Sequence, residues 1–239
     1  VRQVSLAFGG TQVLTDVSFE VRRGEIRAII GPNGAGKSSM LNCINGVYQP
    51  QLGSIQLRGQ SMRHLSSHQV AELGVARTFQ NLALFKGMSV LDNILTGRNL
   101  QMKSNLLWQA LRIGPAEREE IAQRQIVERI VDFLELQPWR NAPVGSLPYG
   151  LQKRVDLGRA LAMEPDVLLL DEPMAGMSVE EKHDMSRFII EANDALGATV
   201  VLIEHDMSVV MDISDRIVVL DYGRKIGDGT PDEVRASDA

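Results

Sequence analysis

The sequence has one cysteine, no long apolar run and no excess of basic residues. These features argue against a protein held by internal disulfides, a membrane-spanning protein and a protein with a broad nucleic-acid-binding face. Cys43 is the single cysteine among 239 residues, so an internal disulfide cannot form and a reducing, cytoplasmic compartment is expected. The longest apolar runs, such as 167–170 and 199–203, have the length of strands and are far too short to span a bilayer. Cys43 itself is predicted to be a small core residue.

The charge balance argues against a broad nucleic-acid-binding face. Thirty acidic side chains outnumber twenty-five lysines and arginines, which gives a formal net charge of −5. Nonspecific binding to a phosphate backbone favours a basic surface. We therefore expect no nucleic-acid partner.

A glycine-rich stretch, GPNGAGKS at 31–38, has the full pattern of a phosphate-binding loop. The apolar run 26–30 before it predicts a buried strand, and residues 38–44 after it predict the first turns of a helix. In this context backbone N–H groups wrap the phosphates, Lys37 reaches the β- and γ-phosphates, and Ser38 offers its hydroxyl to Mg²⁺. The nucleotide contacts predicted in this region are Gly31, Asn33, Gly34, Gly36, Lys37, Ser38 and Ser39.

Two carboxylates follow a second apolar run. The predicted strand 167–170 leads directly into Asp171 and Glu172. In phosphate-loop nucleoside triphosphatases such a strand delivers an aspartate to the Mg²⁺ shell, and Glu172 is then placed to orient or deprotonate the attacking water. The Asn-Lys-x-Asp motif that GTP-binding proteins use for the base is absent from the sequence, which favours ATP.

The order of the elements predicts an α/β fold with a mainly parallel sheet. Helical patterns lie between the later strands, as βαβ units require. The residues from 81 to 145 contain no buried-strand run but two helical patterns, 89–96 and 117–136, which indicates a helical insertion. The predicted strands are 3–8, 17–21, 26–30, 53–57, 74–79, 167–170, 199–203 and 216–220. Capping-box patterns begin helices at Ser178 and at Thr230.

With these two halves of an ATP site, the chain resembles the nucleotide-binding subunit of ATP-binding cassette (ABC) transporters over essentially its whole length. The family has a glutamine between the core and the helical region, where Gln80 lies in Arg-Thr-Phe-Gln-Asn. It has a signature loop before a helix, where residues 147–152 read Leu-Pro-Tyr-Gly-Leu-Gln, and a switch histidine after a strand, where His205 lies. An aromatic residue near the first strand stacks on adenine, and Phe8 is the candidate.

The resemblance implies a role for each matching residue. The catalytic residues are Glu172, His205 and Gln80, and the metal ligands are Ser38, Gln80 and Asp171. Phe8 and Gly150 join the phosphate loop in nucleotide binding. His64, His68 and His183 are interpreted as surface residues.

The resemblance also implies a domain plan and cofactors. It predicts a single domain over 1–239, with a phosphate-loop core and an N-terminal antiparallel β-subdomain in 1–80 and 146–239. The helical subdomain is inserted at 81–145 and ends at the signature loop. The cofactors are ATP and Mg²⁺.

The signature loop departs from the family's common Leu-Ser-Gly-Gly-Gln. Pro148 replaces the serine whose hydroxyl contacts the γ-phosphate, and Leu151 replaces a glutamine. Proline cannot donate a hydrogen bond. Either the loop is a weaker partner for ATP, or backbone groups near the start of the following helix suffice.

Several segments resemble the cassettes of branched-chain amino acid importers, and also those for urea or short amides. One is the Ala-Gly-Met run at 175–177; Ser178 replaces a frequent asparagine. Two other readings stay open: a soluble ABC ATPase of translation or DNA repair, and a regulatory module without turnover. The absence of a second cassette and of a heptad run opposes the former, and Glu172 with His205 opposes the latter.

The expected partners follow from the importer reading. They are a second cassette, a copy or a paralogue, in a head-to-tail dimer, transmembrane permease subunits and, indirectly, a substrate-binding protein. The expected location is the cytoplasmic face of the inner membrane, as a peripheral subunit.

Overall fold

The computed structural model describes residues 1–78, 82–100 and 115–237. Its strands are β1 (Arg2–Phe8), β2 (Thr11–Val17), β3 (Ile26–Ile30), β4 (Leu52–Ser54), β5 (Gln56–Leu57), β6 (Gln60–Ser61), β7 (Val75–Arg77), β8 (Val167–Asp171), β9 (Thr199–Ile203), β10 (Arg216–Asp221) and β11 (Arg224–Gly229). Its α-helices are α1 (Lys37–Ile44), α2 (Ser67–Glu72), α3 (Val90–Leu95), α4 (Pro115–Phe133), α5 (Tyr149–Leu161), α6 (Val179–Leu196), α7 (Met207–Ile213) and α8 (Pro231–Ala236).

A six-stranded sheet in the order β11-β10-β3-β9-β8-β7 forms the centre of the molecule. The five strands from β10 to β7 run parallel, and β11 is antiparallel to β10. Because parallel strands end at a common edge, the residues that follow β3, β8 and β9 meet there. These residues are the phosphate loop, Glu172 and the segment that carries His205.

Apolar layers cover both faces of this sheet, which explains why its strands are almost continuously hydrophobic. Along β8, Leu168 and Leu170 pack into one core together with helices α3 to α6, whereas Leu169 packs into the other core with α1 and the first strands. Successive side chains of a strand alternate between faces, so one short strand contributes to both cores. The structure confirms the predicted α/β fold with a mainly parallel sheet.

A separate three-stranded antiparallel sheet, β2-β1-β4, confirms the predicted N-terminal β-subdomain. The prediction of a strand at 17–21 is wrong, because β2 runs from Thr11 to Val17. The turn at Gly9 and Gly10 places Thr11 opposite Phe8, so β2 begins to pair with β1 directly after the turn. The pairing of the two strands reaches as far as Val17, and β2 ends there.

Three further strand predictions need correction. The predicted strand 53–57 is interrupted after Ser54, and the predicted strand 74–79 extends over Val75–Arg77 in the described part of the chain. The edge strand β11 was not predicted, since its residues are mostly polar and exposed. It pairs with β10 across a turn at Tyr222 and Gly223, which the hydrophobic pattern alone does not reveal.

The helix predictions agree well with the structure. Ser89 caps α3, and Ser178 and Thr230 form the predicted capping boxes of α6 and α8. The pattern at 117–136 corresponds to α4, which ends at Phe133. Within the described residues, no helix is both long and apolar enough to cross a membrane. The subdomain boundaries stay a prediction.

Candidate functional site

The phosphate loop follows β3 directly and leads into α1. Gly31 and Gly36 have φ values of +146° and +96°, in the left-handed region that favours glycine. A Cβ on Gly31 would collide with the carbonyl oxygen of Leu220, and one on Gly36 would lie 2.8 Å from Leu14 Cδ2. The loop therefore keeps its shape because the chain packs against its glycines from two sides.

Lys37 lies in the wall of this loop and is buried. Its Nζ donates to the carbonyl oxygens of Gly31 at 2.8 Å and Pro32 at 2.9 Å. Burial lowers the pKa of Lys37, and the nearby carboxylates of Glu172 and Asp171 oppose that shift. The ammonium group is thus close enough to both acidic residues for their charges to act on it.

Asp171, the last residue of β8, is buried and paired with Arg77 of β7. Arg77 Nη2 donates to Asp171 Oδ2 at 2.8 Å, and Arg77 Nη1 donates to Asn42 Oδ1 on α1. Asp171 Oδ1 is buried and accepts no hydrogen bond from the described part of the chain. A buried carboxylate oxygen without a protein donor fits a hard cation or its bound water. No sequence pattern assigned a role to Arg77, because its partner Asp171 is 94 residues away along the chain.

Glu172 lies one residue beyond β8 and contacts the predicted switch histidine. The distance between His205 Nε2 and Glu172 Oε1 is 2.9 Å. An ionised carboxylate only accepts hydrogen bonds, so Nε2 carries the proton when Glu172 is charged. The structure therefore brings together Glu172 and His205, which are 33 residues apart in sequence.

The backbone of Glu172 is held in an unusual conformation. Its φ is +50°, a value that costs a non-glycine residue about 1–2 kcal/mol. Its N–H donates to the carbonyl of Ile203 at 2.9 Å, and its own carbonyl accepts from Lys153 Nζ at 3.1 Å. Lys153 is buried on α5, and no motif in the sequence pointed to it. Tertiary contacts to the N–H and to the carbonyl of Glu172 thus hold its backbone in this conformation.

The segment after His205 is anchored by an ion pair. Lys182 Nζ on α6 lies 2.6 Å from Asp206 Oδ2, and Asp206 also caps α7 through the N–H of Ser208. These hydrogen bonds, the one from Lys182 first, lower the pKa of Asp206 to about 2. The His205 segment is therefore tied to α6.

The signature loop leads into α5. Pro148 is the N-cap residue, and its side chain makes no capping hydrogen bond. Tyr149 is 45% exposed. A Cβ on Gly150 would collide with the Glu181 carboxylate, so a larger residue here would displace the side chain that closes the capping box of α6.

The other residues predicted to bind nucleotide or metal differ in their exposure to solvent. Phe8 is 45% exposed at the end of β1 and makes an edge-to-face contact with Tyr48, with ring centroids 4.9 Å apart. This exposure excludes a core role for Phe8, whereas its stacking on adenine stays a prediction. Ser38 is exposed and Ser39 is half-buried at the start of α1. Gln80 lies outside the described residues.

Two minor predictions are confirmed. Cys43 is buried, and burial raises the pKa of its thiol to about 12, as expected of an inert core residue. His64, His68 and His183 are exposed.

The sequence of this chain is similar to those of a known protein family. The sequence model of the family described as ABC transporter matches residues 14–175. The high-affinity branched-chain amino acid transport ATP-binding protein LivG of Salmonella typhimurium is 40% identical, over 98% of this chain and 92% of LivG. The corresponding BraF protein of Pseudomonas aeruginosa is 37% identical, over 98% of this chain and 92% of BraF.

A solved structure shows the same fold. The crystal structure of a nucleotide-free ATP-binding cassette from an ABC transporter superposes with a TM-score of 0.85 at 30% identity. The match covers 98% of this chain and 92% of that one. The predicted fold type is thereby confirmed.

Proposed function

Because the chain belongs to the ABC transporter family, as one of its ATP-binding cassettes, we propose that it powers a branched-chain amino acid importer and that Glu172 and His205 carry its ATP hydrolysis. The observation that carries the catalytic assignment is the 2.9 Å contact between these two side chains at the edge of the sheet beside Lys37.

Each group is proposed to act in one step of the conversion of ATP and water into ADP and phosphate. The backbone N–H groups of residues 33–38 donate hydrogen bonds to the phosphate oxygens, and the Lys37 ammonium neutralises part of their charge. Glu172 accepts a proton from the attacking water, whose oxygen bonds to the γ-phosphorus as the bond to the β-phosphate oxygen breaks. The hydrogen bond from His205 holds the Glu172 carboxylate in one orientation.

Asp171 and Ser38 are proposed to hold the Mg²⁺ ion. Support comes from the buried Oδ1 of Asp171, which no described residue engages, and from the exposed hydroxyl residue Ser38 at the start of α1. The ion neutralises charge on the phosphates when bound. Arg77 holds the other carboxylate oxygen of Asp171 and so fixes the direction of Oδ1. Gln80 is proposed to join this ligand set.

The transported substrate is proposed to be a branched-chain amino acid, because both relatives carry that substrate in their names at 40% and 37% identity over nearly the whole chain. The same likeness favours an importer over a soluble ABC ATPase. Transport of leucine in vesicles that contain the reconstituted complex, with urea as the competing candidate, tests this assignment. Uptake of urea without leucine would overturn it.

A second cassette is the proposed partner, docked head-to-tail so that the signature loop at 147–152 faces the nucleotide of the other subunit. The exposed Tyr149 and the uncapped start of α5 support this arrangement. Transmembrane permease subunits and, through them, a substrate-binding protein complete the assembly. The cassette then lies on the cytoplasmic face of the inner membrane as a peripheral subunit.

The decisive experiment measures Mg²⁺-dependent ATPase activity and fluorescent-nucleotide affinity over a range of protein concentrations. Glu172→Gln preserves the shape of the side chain but removes the base, so turnover is expected to fall by about 10²- to 10⁴-fold with affinity unchanged. Lys37→Ala removes charge-assisted contacts and is expected to weaken nucleotide binding by about 10- to 100-fold. Glu180→Gln, an exposed glutamate on α6, serves as the control.

The outcomes separate the parts of the proposal. Near-normal turnover in Glu172→Gln contradicts the role of Glu172. If the wild-type chain binds ATP but shows no turnover alone, the measurement is repeated with a paralogous cassette. Turnover that appears with the paralogue identifies a heterodimer, and turnover that rises steeply with the concentration of the chain alone identifies a homodimer.

A further inference from the structure

Glu204 is a buried carboxylate between β9 and His205 that the proposed mechanism does not yet use. It is 4% exposed, although charged side chains are rarely buried to this degree without a specific partner. It directly follows Ile203, whose carbonyl accepts the N–H of Glu172. Its position therefore lies between the two segments that carry the Glu172–His205 pair.

The two carboxylate oxygens of Glu204 accept hydrogen bonds from two different segments. Oε1 accepts the backbone N–H of Met174 at 2.8 Å, and Oε2 accepts the backbone N–H of His205 at 2.9 Å. Met174 belongs to the loop that starts with Glu172, and His205 belongs to the switch segment. One side chain thus bridges the backbones of both halves of the pair.

We propose that Glu204 is a positioning residue for ATP hydrolysis, which sets the distance between Glu172 and His205 by bridging their backbones. This inference rests on the proposed catalytic role of Glu172. The left-handed φ of Glu172 makes such support necessary, because that conformation persists only where the surroundings hold it. The Glu204 bridge acts on the carboxyl side of Glu172, where its loop turns away from the sheet.

A carboxylate is the group that this position requires. Two N–H donors converge on it, and an ionised carboxylate offers an acceptor to each of them. A glutamine of the same shape offers one carbonyl oxygen, and its amide N–H₂ would face a second N–H group. The loop of Met174 and the segment of His205 could then not both be held.

Glu204→Gln therefore tests the inference in the intact chain, assayed with the cassette partner that supports wild-type turnover. We expect kcat to fall by about 10- to 100-fold, because small displacements of reacting groups have effects of this size. We expect the affinity for a fluorescent ATP analogue to stay within about 2-fold, because this change leaves Lys37 and the phosphate loop intact. Glu204→Asp, which is too short to reach both donors, provides a second variant if Glu204→Gln does not fold.

Glu25→Gln is the matched control. Glu25 is also a buried glutamate, 6% exposed, and it accepts the backbone N–H of Arg22 and a side-chain N–H of Arg27. It lies just before β3, at the opposite edge of the sheet from the phosphate loop. We expect this variant to lower Tm while kcat of the folded protein stays unchanged.

A double-mutant cycle with His205→Ala distinguishes positioning from general stability. If Glu204 acts through the pair, the combined loss of kcat is smaller than the product of the two separate losses. Wild-type kcat in Glu204→Gln, or strictly multiplicative losses, overturns the inference. Full turnover in Glu172→Gln would instead overturn the proposed function, so the two failures are distinguishable.

Discussion

The starts of helices α1 and α5 both lack a side-chain cap, but the residues around them differ. Both begin without a side-chain cap, at Gly36 and at Pro148, whereas α2, α3, α6, α7 and α8 are each capped by a serine, threonine or aspartate side chain. The N–H groups of a first turn that is not capped are available to an anion. Both helices are those that the family resemblance assigns to phosphate binding.

The surroundings of the two helix starts are organised differently. At α1 the chain supplies its own charged groups, since Lys37 is buried against the loop and Asp171 is paired with Arg77. At α5 Tyr149 is exposed and Pro148 offers no donor. One half of the proposed nucleotide site is thus built within the chain, whereas the exposed start of α5 is what the proposed docking of a second cassette requires.

The largest expected effect on stability comes from a substitution of Arg77, in the half of the proposed site that is built within the chain. Arg77→Met leaves the buried Asp171 without its ion-pair partner, so the free energy of unfolding is expected to fall by about 3–5 kcal/mol. For a chain of this size that lowers Tm by roughly 10 °C. Thermal unfolding followed by circular dichroism measures the change.

Arg140→Met is the control for this prediction. Arg140 pairs with Glu128 on the surface, and exposed ion pairs contribute less than about 1 kcal/mol. If both variants lower Tm by the same amount, the buried ion pair of Arg77 contributes no more than a surface ion pair does. The contrast between the starts of α1 and α5 would then be weakened.

A smaller effect is expected at the signature loop. Pro148→Ser introduces a hydroxyl that can donate to a phosphate of the neighbouring subunit's nucleotide. Such a contact is expected to raise the affinity between the two cassettes by up to about 10-fold. The partner concentration that gives half-maximal ATPase activity is expected to fall by this factor. Pro148→Ala removes the ring without adding a donor and should leave that concentration unchanged. Equal shifts in both variants would attribute the effect to the backbone.

The smallest effect concerns the pH dependence of the Lys182–Asp206 pair. The pKa of Asp206 is about 2 in the folded protein, below the ordinary 3.8, so the pair stabilises the fold fully above pH about 4 and loses this contribution as the pH falls towards 2. Asp206→Asn should therefore lower Tm by no more than about 3 °C at pH 7. The difference from wild type should vanish near pH 2, and a constant difference would contradict the assignment.

Local patterns were sufficient for the elements that position the site. The strands at 26–30 and 199–203 and the helix starts at Ser178 and Thr230 were predicted correctly, because burial and capping depend on near neighbours in the sequence. The strand at 17–21 was wrong because hairpin pairing, rather than residue preference, decides where β2 ends. The edge strand β11 was missed because its stability comes from pairing with β10.

By itself the sequence determined the phosphate loop and the acidic end of β8, because each is a contiguous run of residues, and it determined the family through the order of such runs along the chain. Only the tertiary structure decided how these groups are held. Arg77 meets Asp171 across 94 residues, Glu204 meets Met174 across 30, and Lys153 meets Glu172 across 19. These contacts form where the ends of neighbouring parallel strands and the start of α5 converge, and no local pattern records which side chains converge there.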